Sequence, residues 1–560
     1  MHRWLLVLAL VATTAGAQPS DDVIFSASFE AAVPNGNAEA GAFLWRVTYG
    51  PTQADIDSVN NMGFEAWVDQ QQSMAATYHS PQLEAFPNDL GQGERQRVWF
   101  NTAKNAPDQF RQRAAFALSQ VLVVSDLNGE LEGQPLALTN YYDLLVEHAF
   151  GNYRQLLEEV TLTPVMGHYL SMFSSTRDPF LGIEPDENYA REIMQLFSIG
   201  LNELNIDGSL RTSGGNPIPT YQQSHIVALA EAFTGWTFAG ADQGDGDCEP
   251  WEWKYAERNW LEPMAPCPVT NPNENQPDDY HVTTAKTIVG DVVLPAGQTP
   301  EQDLTMALDT LFNHPNVGPF LARRLIQRLV TSNPSPAYIA RVASVFNNNG
   351  SNVRGDLGAV FKAIVLDNEA LSGASNNATF GKLREPLFFQ LHLNRVYDAR
   401  ISPEFAGNPS CCWPGAIYQP QQFVGQAALR SPSVFNFFTP DYAQPGPIET
   451  QGLVSPEFQI TTETQVVRLA NYFWDTLIWG GQYPWQTQHE LQTGSLLALA
   501  GNPTALVNQV DNDLLFGTLD NTARQVIISR IANIRESDAQ RRVDEALYYI
   551  VTSPQNAVQR

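Results

Sequence analysis

Apolar residues recur at helical spacing along most of this chain, and the recurrence lapses in two long stretches. The i, i+3, i+4, i+7 pattern predicts helices over 51–72, 109–124, 139–149, 153–162, 185–200 and 222–234. It resumes over 300–313, 316–329, 335–347, 353–366 and 382–397, and again at 538–552. Phe150-Gly151-Asn152 between two of these reads as the turn of a helical hairpin. Segment 109–124 begins amphipathic and ends wholly apolar, which predicts a core helix. The periodicity fails over about 238–300 and about 402–456, both rich in Pro, Gly and aromatics. No repeat of fixed period and no strand-rich block is present. The expected fold class is therefore mainly α, a multi-helix globular array with two long irregular loop regions.

Segment 185–200 (PDENYAREIMQLFSIG) carries the densest polar pattern. As a helix it places Ala190, Ile193, Met194, Phe197 and Leu201 on one face, with Asn188, Arg191, Glu192 and Gln195 on the other. Pro185 and Asp186 supply a start signal and Gly200 a stop. Glu187 and Arg191 are spaced i, i+4, as are Asn188 and Glu192, so each pair meets on the helix surface. Two carboxylates, one beside a guanidinium and one beside an amide, would titrate differently, and that asymmetry is what general acid–base chemistry requires. The same residues also suit a salt-bridged face, which is the commoner use of paired charges.

The N-terminus adds a compartment. Met1-His2-Arg3, an apolar run over 4–12 and Ala15-Gly16-Ala17 have the form of a secretory leader, too short to span a bilayer. A mature chain is expected from Gln18, with a loose segment to Gly36 and one helical domain over 37–560. No later run approaches the roughly 20 apolar residues of a membrane span. Charged residues make up only 16% of the chain, against roughly 25% in typical soluble domains, a trade towards Asn, Gln, Ser and Thr that suits an exported protein. The net charge of −28 repels phosphate backbones and argues against nucleic acid as a partner. In an oxidising compartment Cys248, Cys267, Cys411 and Cys412 are expected to pair. Three connectivities are open; Cys248 with Cys267 closes a short loop, and cross-pairing with the vicinal Cys411 and Cys412 competes.

Several blocks together carry a family resemblance: LWRVTYGPTQADIDSVNNMGFEAWVDQQ (44–71), RQRAAFALSQVLVVSD (111–126), PDENYAREIMQLFSIGLNELNIDG (185–208), TYQQSHIVALAEAFTGWTF (220–238) and HPNVGPFLARRLIQRLV (314–330). In this order they resemble an exported bacterial family catalogued as "domain of unknown function 1800". The resemblance implies a helical, exported protein and assigns no catalytic residue. Its matching positions here are Glu187, Asn188, Arg191, Glu192, Gly235-Trp236, His281, Lys286, His314-Pro315 and Arg323. The chain departs from the family form at Tyr280-His281-Val282, where an Asp commonly follows the His.

Other candidate chemistry is sparser. His281 and Lys286 sit at the edge of the first irregular region, where a loop would bring them over the 185–200 helix; His168 and His225 flank it. His489-Glu490 lacks the second His of a zinc-protease motif, so a transition metal has no recognised ligand spacing. Asn205 and Asp207 around Gly208, and Asp242, Asp245 and Asp247, offer oxygen ligands for Ca²⁺ without the twelve-residue loop pattern. Asx turns built on glycine are the alternative. Trp251, Trp253 and Trp260, bracketed by Cys248 and Cys267, form either a platform for stacking sugar rings or a satellite core under a long loop. No GxSxG, SxxK, GxxxxGK[ST] or GxGxxG occurs, which argues against the common hydrolase and nucleotide-binding classes. The expectation is an exported binding or assembly protein of the envelope or extracellular space, with a polysaccharide or another exported protein as partner. The competing reading is a polymer-cleaving enzyme, a polysaccharide hydrolase or lyase, using Glu187, Arg191 and Glu192.

Overall fold

The computed structural model describes residues 33–86, 90–177, 182–240, 258–267, 280–401, 420–478 and 489–560. The expected leader at 1–17 lies outside them, as do Trp251, Trp253, Cys248, Cys411, Cys412, Asp242, Asp245 and Asp247. Helices dominate, and the described strands form two-stranded antiparallel pairs. No helix among the described residues is long and apolar enough to cross a membrane.

Gln109–Ser119 is the innermost helix, with nearly every side chain buried, as its apolar run foretold. Val317–Leu329 packs on Pro336–Asn347, which packs on Leu357–Leu366, and the three share one apolar cluster with the central helix. Gly36 precedes the first described helix, Asn37–Val47.

Three predicted helices are cut differently. The span 51–72 divides into Gln53–Met62 and Phe64–Ser73, because Gly63 takes φ 85°, a left-handed conformation open to glycine that a helix cannot continue. The span 109–124 stops at Ser119; Val121 and Leu122 close a tight turn on Leu118 O, and Val121–Val124 is buried without being helical. The span 185–200 is an α-helix only over Asn188–Glu192 and then widens into a π-helix over Ile193–Ser198. Within the first irregular region, Lys286–Ile288 and Val292–Leu294 pair as a hairpin. Helices Gln92–Asn105, Glu463–Phe473, Pro503–Leu515 and Asn521–Ala532 escaped the sequence reading, their apolar stripes being interrupted by Asn, Gln and Arg.

Candidate functional site, an arginine-lined cavity beside a π-helical segment

The π-segment is locally enforced. Ser198 Oγ donates to Ile193 O at 2.5 Å, and Ile199 N and Gly200 N both reach Met194 O at 2.9 Å. Tyr153 Oη donates to Phe197 O. Gly200 at φ 70° ends the element, as a glycine C-cap does. Asn316 then staples the exit: its Nδ2 donates to Ile199 O and Asn202 O at 2.8 Å, and its Oδ1 accepts from Leu204 N at 2.9 Å. π-turns inside helices recur at functional sites because they re-aim side chains.

The re-aiming shows at Glu192, which was expected on a wet stripe. It is only 7% exposed, accepts no hydrogen bond among the described residues, and its Oε2 is sealed from solvent. Burial raises its pKa, and the neighbouring Arg191 charge pulls it partly back. Tyr169 is pushed up to about 12 by burial, with the Glu192 charge adding, and Tyr221 is raised for the same two reasons. The Glu187–Arg191 pair forms as predicted at 2.8 Å, and Gln223 Nε2 also donates to Glu187 at 2.8 Å. Asn188 does not meet Glu192 through a hydrogen bond; its backbone N–H caps onto Asp186. Leu201, expected on the apolar face, is 55% exposed.

His281 and Lys286 are not drawn over this helix. Both are buried and both hold Asp303, at 3.2 Å and 2.6 Å, with Gln298 donating to the second oxygen at 2.8 Å. The other ring nitrogen of His281 meets Thr234. Glu187 is tied to the first residue of the Gln223–Ala232 helix and His281 to Thr234 just past its end, so about 15 Å of helix separates these contacts. The acidic partner absent from position 282 is thus supplied by Asp303, which sequence reading missed.

The remaining candidates resolve as structure. Trp260 is buried against His168 and Phe238, a satellite core instead of an open platform. His168 stacks on Phe173 at 4.2 Å, and burial drives its pKa down to about 4. His225 sits at the start of its helix, apart from that cluster. Asp207 binds Ser209 N and Oγ at 2.9 and 2.6 Å, and Asn205 bonds Ser209 across the same turn, the Asx alternative. Among the described residues no group of three or more His, Cys, Asp or Glu is placed to hold a metal. Cys267 is not a free thiol, and its backbone N–H donates to Gly235 O.

The π-segment also forms one wall of a cavity of about 340 Å³, lined by Gln195 and Leu196 together with Gln120, Arg323, Arg324 and Arg328. Arg323 is paired with Asp441 at 2.6 Å. The guanidinium groups of Arg324 and Arg328 have neither a hydrogen bond nor an ion pair among the described residues. Each stacks on an aromatic ring instead, Arg324 over Phe320 at 4.9 Å and Arg328 over Phe438 at 4.3 Å. Burial lowers the Arg324 pKa to about 10 and lowers that of Arg328 as well. Leu201, Leu210 and Phe435, 48–55% exposed, form an apolar mouth. Two other hollows, near Val466 and near Val526, are larger at about 600 and 620 Å³, and neither has an arginine or lysine in its lining. The available signal for the arginines was their spacing: Arg324 and Arg328 are like charges at i, i+4, which an isolated helix disfavours.

A family model described as a protein of unknown function (DUF1800) matches residues 42–558. No curated protein and no solved structure matches the chain.

Proposed function

We propose, for a chain that belongs to the DUF1800 family of proteins of unknown function, the role of an exported protein that takes a small ligand into the cavity beside the π-segment. One observation carries the reading: two guanidinium groups without a hydrogen bond or ion pair among the described residues, Arg328 buried and Arg324 half-buried, converge on a concave, apolar-mouthed space of ligand size. A fold does not leave Arg328, only 4% exposed, without a hydrogen bond unless something else offsets the cost. Export is supported by the leader-like N-terminus and the low charged fraction. Pairing of Cys267 with another cysteine in an oxidising compartment belongs to the same reading.

The test is a thermal-shift panel on the purified chain with small carboxylates, phosphates, neutral and acidic oligosaccharides, and Ca²⁺. A ligand at about a hundred times its Kd adds roughly 2.7 kcal/mol of stability. The expected result is a shift that Leu196→Trp, which fills the cavity, abolishes. A shift that survives Leu196→Trp and also Leu210→Trp at the mouth would move the site elsewhere.

A second reading rests on a different observation, the buried carboxylate of Glu192 that accepts no hydrogen bond and has a raised pKa. Such a group suits a general base in a polymer-cleaving enzyme. Glu187, saturated by Arg191 and Gln223, would then orient Arg191. Loss of a polysaccharide-cleaving activity in Glu192→Gln, with folding intact, is its signature. Absence of cleavage by the wild-type chain across acidic and neutral polysaccharides would rule against it.

A further inference from the structure

The charges behind the cavity do not balance. Its floor is backed by Arg113, Lys382 and Arg328 on the cationic side and by Glu385 and Glu457 on the anionic side, all at most 4% exposed. They share one site: Arg113 Nη2 and Lys382 Nζ both donate to Arg328 O, at 3.1 and 2.8 Å. Lys382 Nζ lies 2.8 Å from Glu457 Oε1, an ion pair by distance without hydrogen-bond alignment. Glu385 accepts from Gln120 and Gln426 at 2.6 and 2.5 Å, so the amide of Gln120 ties the cavity wall to the buried carboxylate. Three cations face two carboxylates, and Arg324 adds a further cation, while Arg323 is neutralised by Asp441. Among the described residues the cations around the cavity therefore exceed the carboxylates by two, in a chain whose net charge is −28.

We infer that the cavity binds an oxyanion carried on a small apolar body, with the anionic head against Arg324 and Arg328 and the body against Leu201, Leu210 and Phe435. This rests on the reading of the cavity as a ligand site and names the class of its occupant. Guanidinium forks match carboxylate and phosphate oxygens, and such charge-assisted bonds are strongest where water is excluded. Stacking on Phe320 and Phe438 holds both forks in place before the ligand arrives, which lowers the entropy lost on binding. The exposed leucines and Phe435 at the mouth have no comparable use for a bare inorganic anion, whereas an alkyl or aryl tail would cover them.

Isothermal titration calorimetry with hexyl phosphate, hexanoate, hexanol and inorganic phosphate tests the inference. Hexyl phosphate or hexanoate is expected to bind at least tenfold more tightly than either hexanol or inorganic phosphate. Arg324→Gln and Arg328→Met should each weaken the anion at least tenfold and leave hexanol unchanged, and added salt should weaken the anion alone. Arg324 is the less buried of the two, so it carries the test should Arg328→Met fail to fold. Hexanol binding as tightly as hexyl phosphate, with both lost in Leu196→Trp, would overturn the anionic head and leave the cavity as a ligand site. Inorganic phosphate binding as tightly as hexyl phosphate would overturn the apolar body. Binding of none of the four probes, or anion binding untouched by Leu196→Trp, would overturn the inference and the proposed function together.

Discussion

Two of the buried charge sets among the described residues are treated in opposite ways. At one, Asp303 is enclosed by His281, Lys286 and Gln298, and both carboxylate oxygens have partners. At the other, Arg324 and Arg328 face a cavity with aromatic rings behind them, where Asp441 is the one acidic residue of the described lining and is paired with Arg323. The first arrangement fixes the Lys286–Ile288 strand to the Pro300–Asn313 helix through a carboxylate answered on both oxygens. The second has the space and lacks the partner. Burial and charge alone therefore do not mark a functional site in this protein. What separates the two is whether the fold itself supplies the counter-charge.

The sharpest way to break this contrast is to remove Asp303. Asp303→Ala strands Lys286 and His281 without their acid, and a loss of about 3–5 kcal/mol is expected in denaturant melts. A loss below about 1 kcal/mol would mean that the network contributes no more than an exposed pair does. Next in size is a group that avoids the penalty by giving up its charge. His168 has its pKa lowered to about 4, so the unfolded chain binds a proton that the folded chain refuses. Stability tied to it is present above the ordinary histidine pKa of about 6.5 and is lost as pH falls from there towards 4, by up to about 3 kcal/mol. Melts of wild type and His168→Phe across that window should diverge, with the variant less acid-sensitive; parallel curves would assign no cost to protonating His168.

The cavity arginines should behave in the reverse manner to Asp303. Arg324→Leu is expected to leave stability unchanged or raise it by about 1 kcal/mol, because an uncompensated cation is removed. A loss above about 2 kcal/mol would make the stacked arginine a structural strut and collapse the contrast. The smallest effect belongs to Glu192. Its raised pKa means the folded state holds a proton that the unfolded state releases, so the cost it imposes is absent below the unfolded carboxyl pKa and grows as pH rises through the folded one. Glu192→Gln should accordingly stabilise the chain at neutral pH by about 0.5–1 kcal/mol and make no difference in acid. A destabilised variant at neutral pH would mean that the carboxylate is bonded after all.

Much of the helical core was legible because burial imposes a period. Pro300–Asn313 follows the reading at both ends, where Thr299 and Pro300 mark the start. Tyr153–Leu162 does so as well, under the cap of Asn152. Glu187 and Arg191 were legible as a pair because i, i+4 contacts need no tertiary information. Glu192 was misplaced because the polar stripe assumed 3.6 residues per turn across a segment that changes its period within it. Asp303, Arg324 and Arg328 were missed for another reason, and Arg323 was marked only by the family resemblance. Their meaning lies in contacts across 17 to 22 residues for Asp303, and across more than a hundred between Arg323 and Asp441, and such pairings leave no local trace.

That change of period bears on how the chain tolerates insertions and deletions. A π-turn holds one more residue than the α-turn it replaces, so excising a single residue from 193–198 would let the segment relax to an ordinary helix. A residue cut from a regular α-turn would turn everything after it by about 100° about the axis, whereas here the widened turn absorbs the change and only the side chains within it are re-aimed. Gln195 and Leu196, inside that turn, would be re-aimed relative to the cavity wall, while the exit at Gly200 would still reach Asn316. The length of this stretch is thus as much a part of the site as the identity of its side chains.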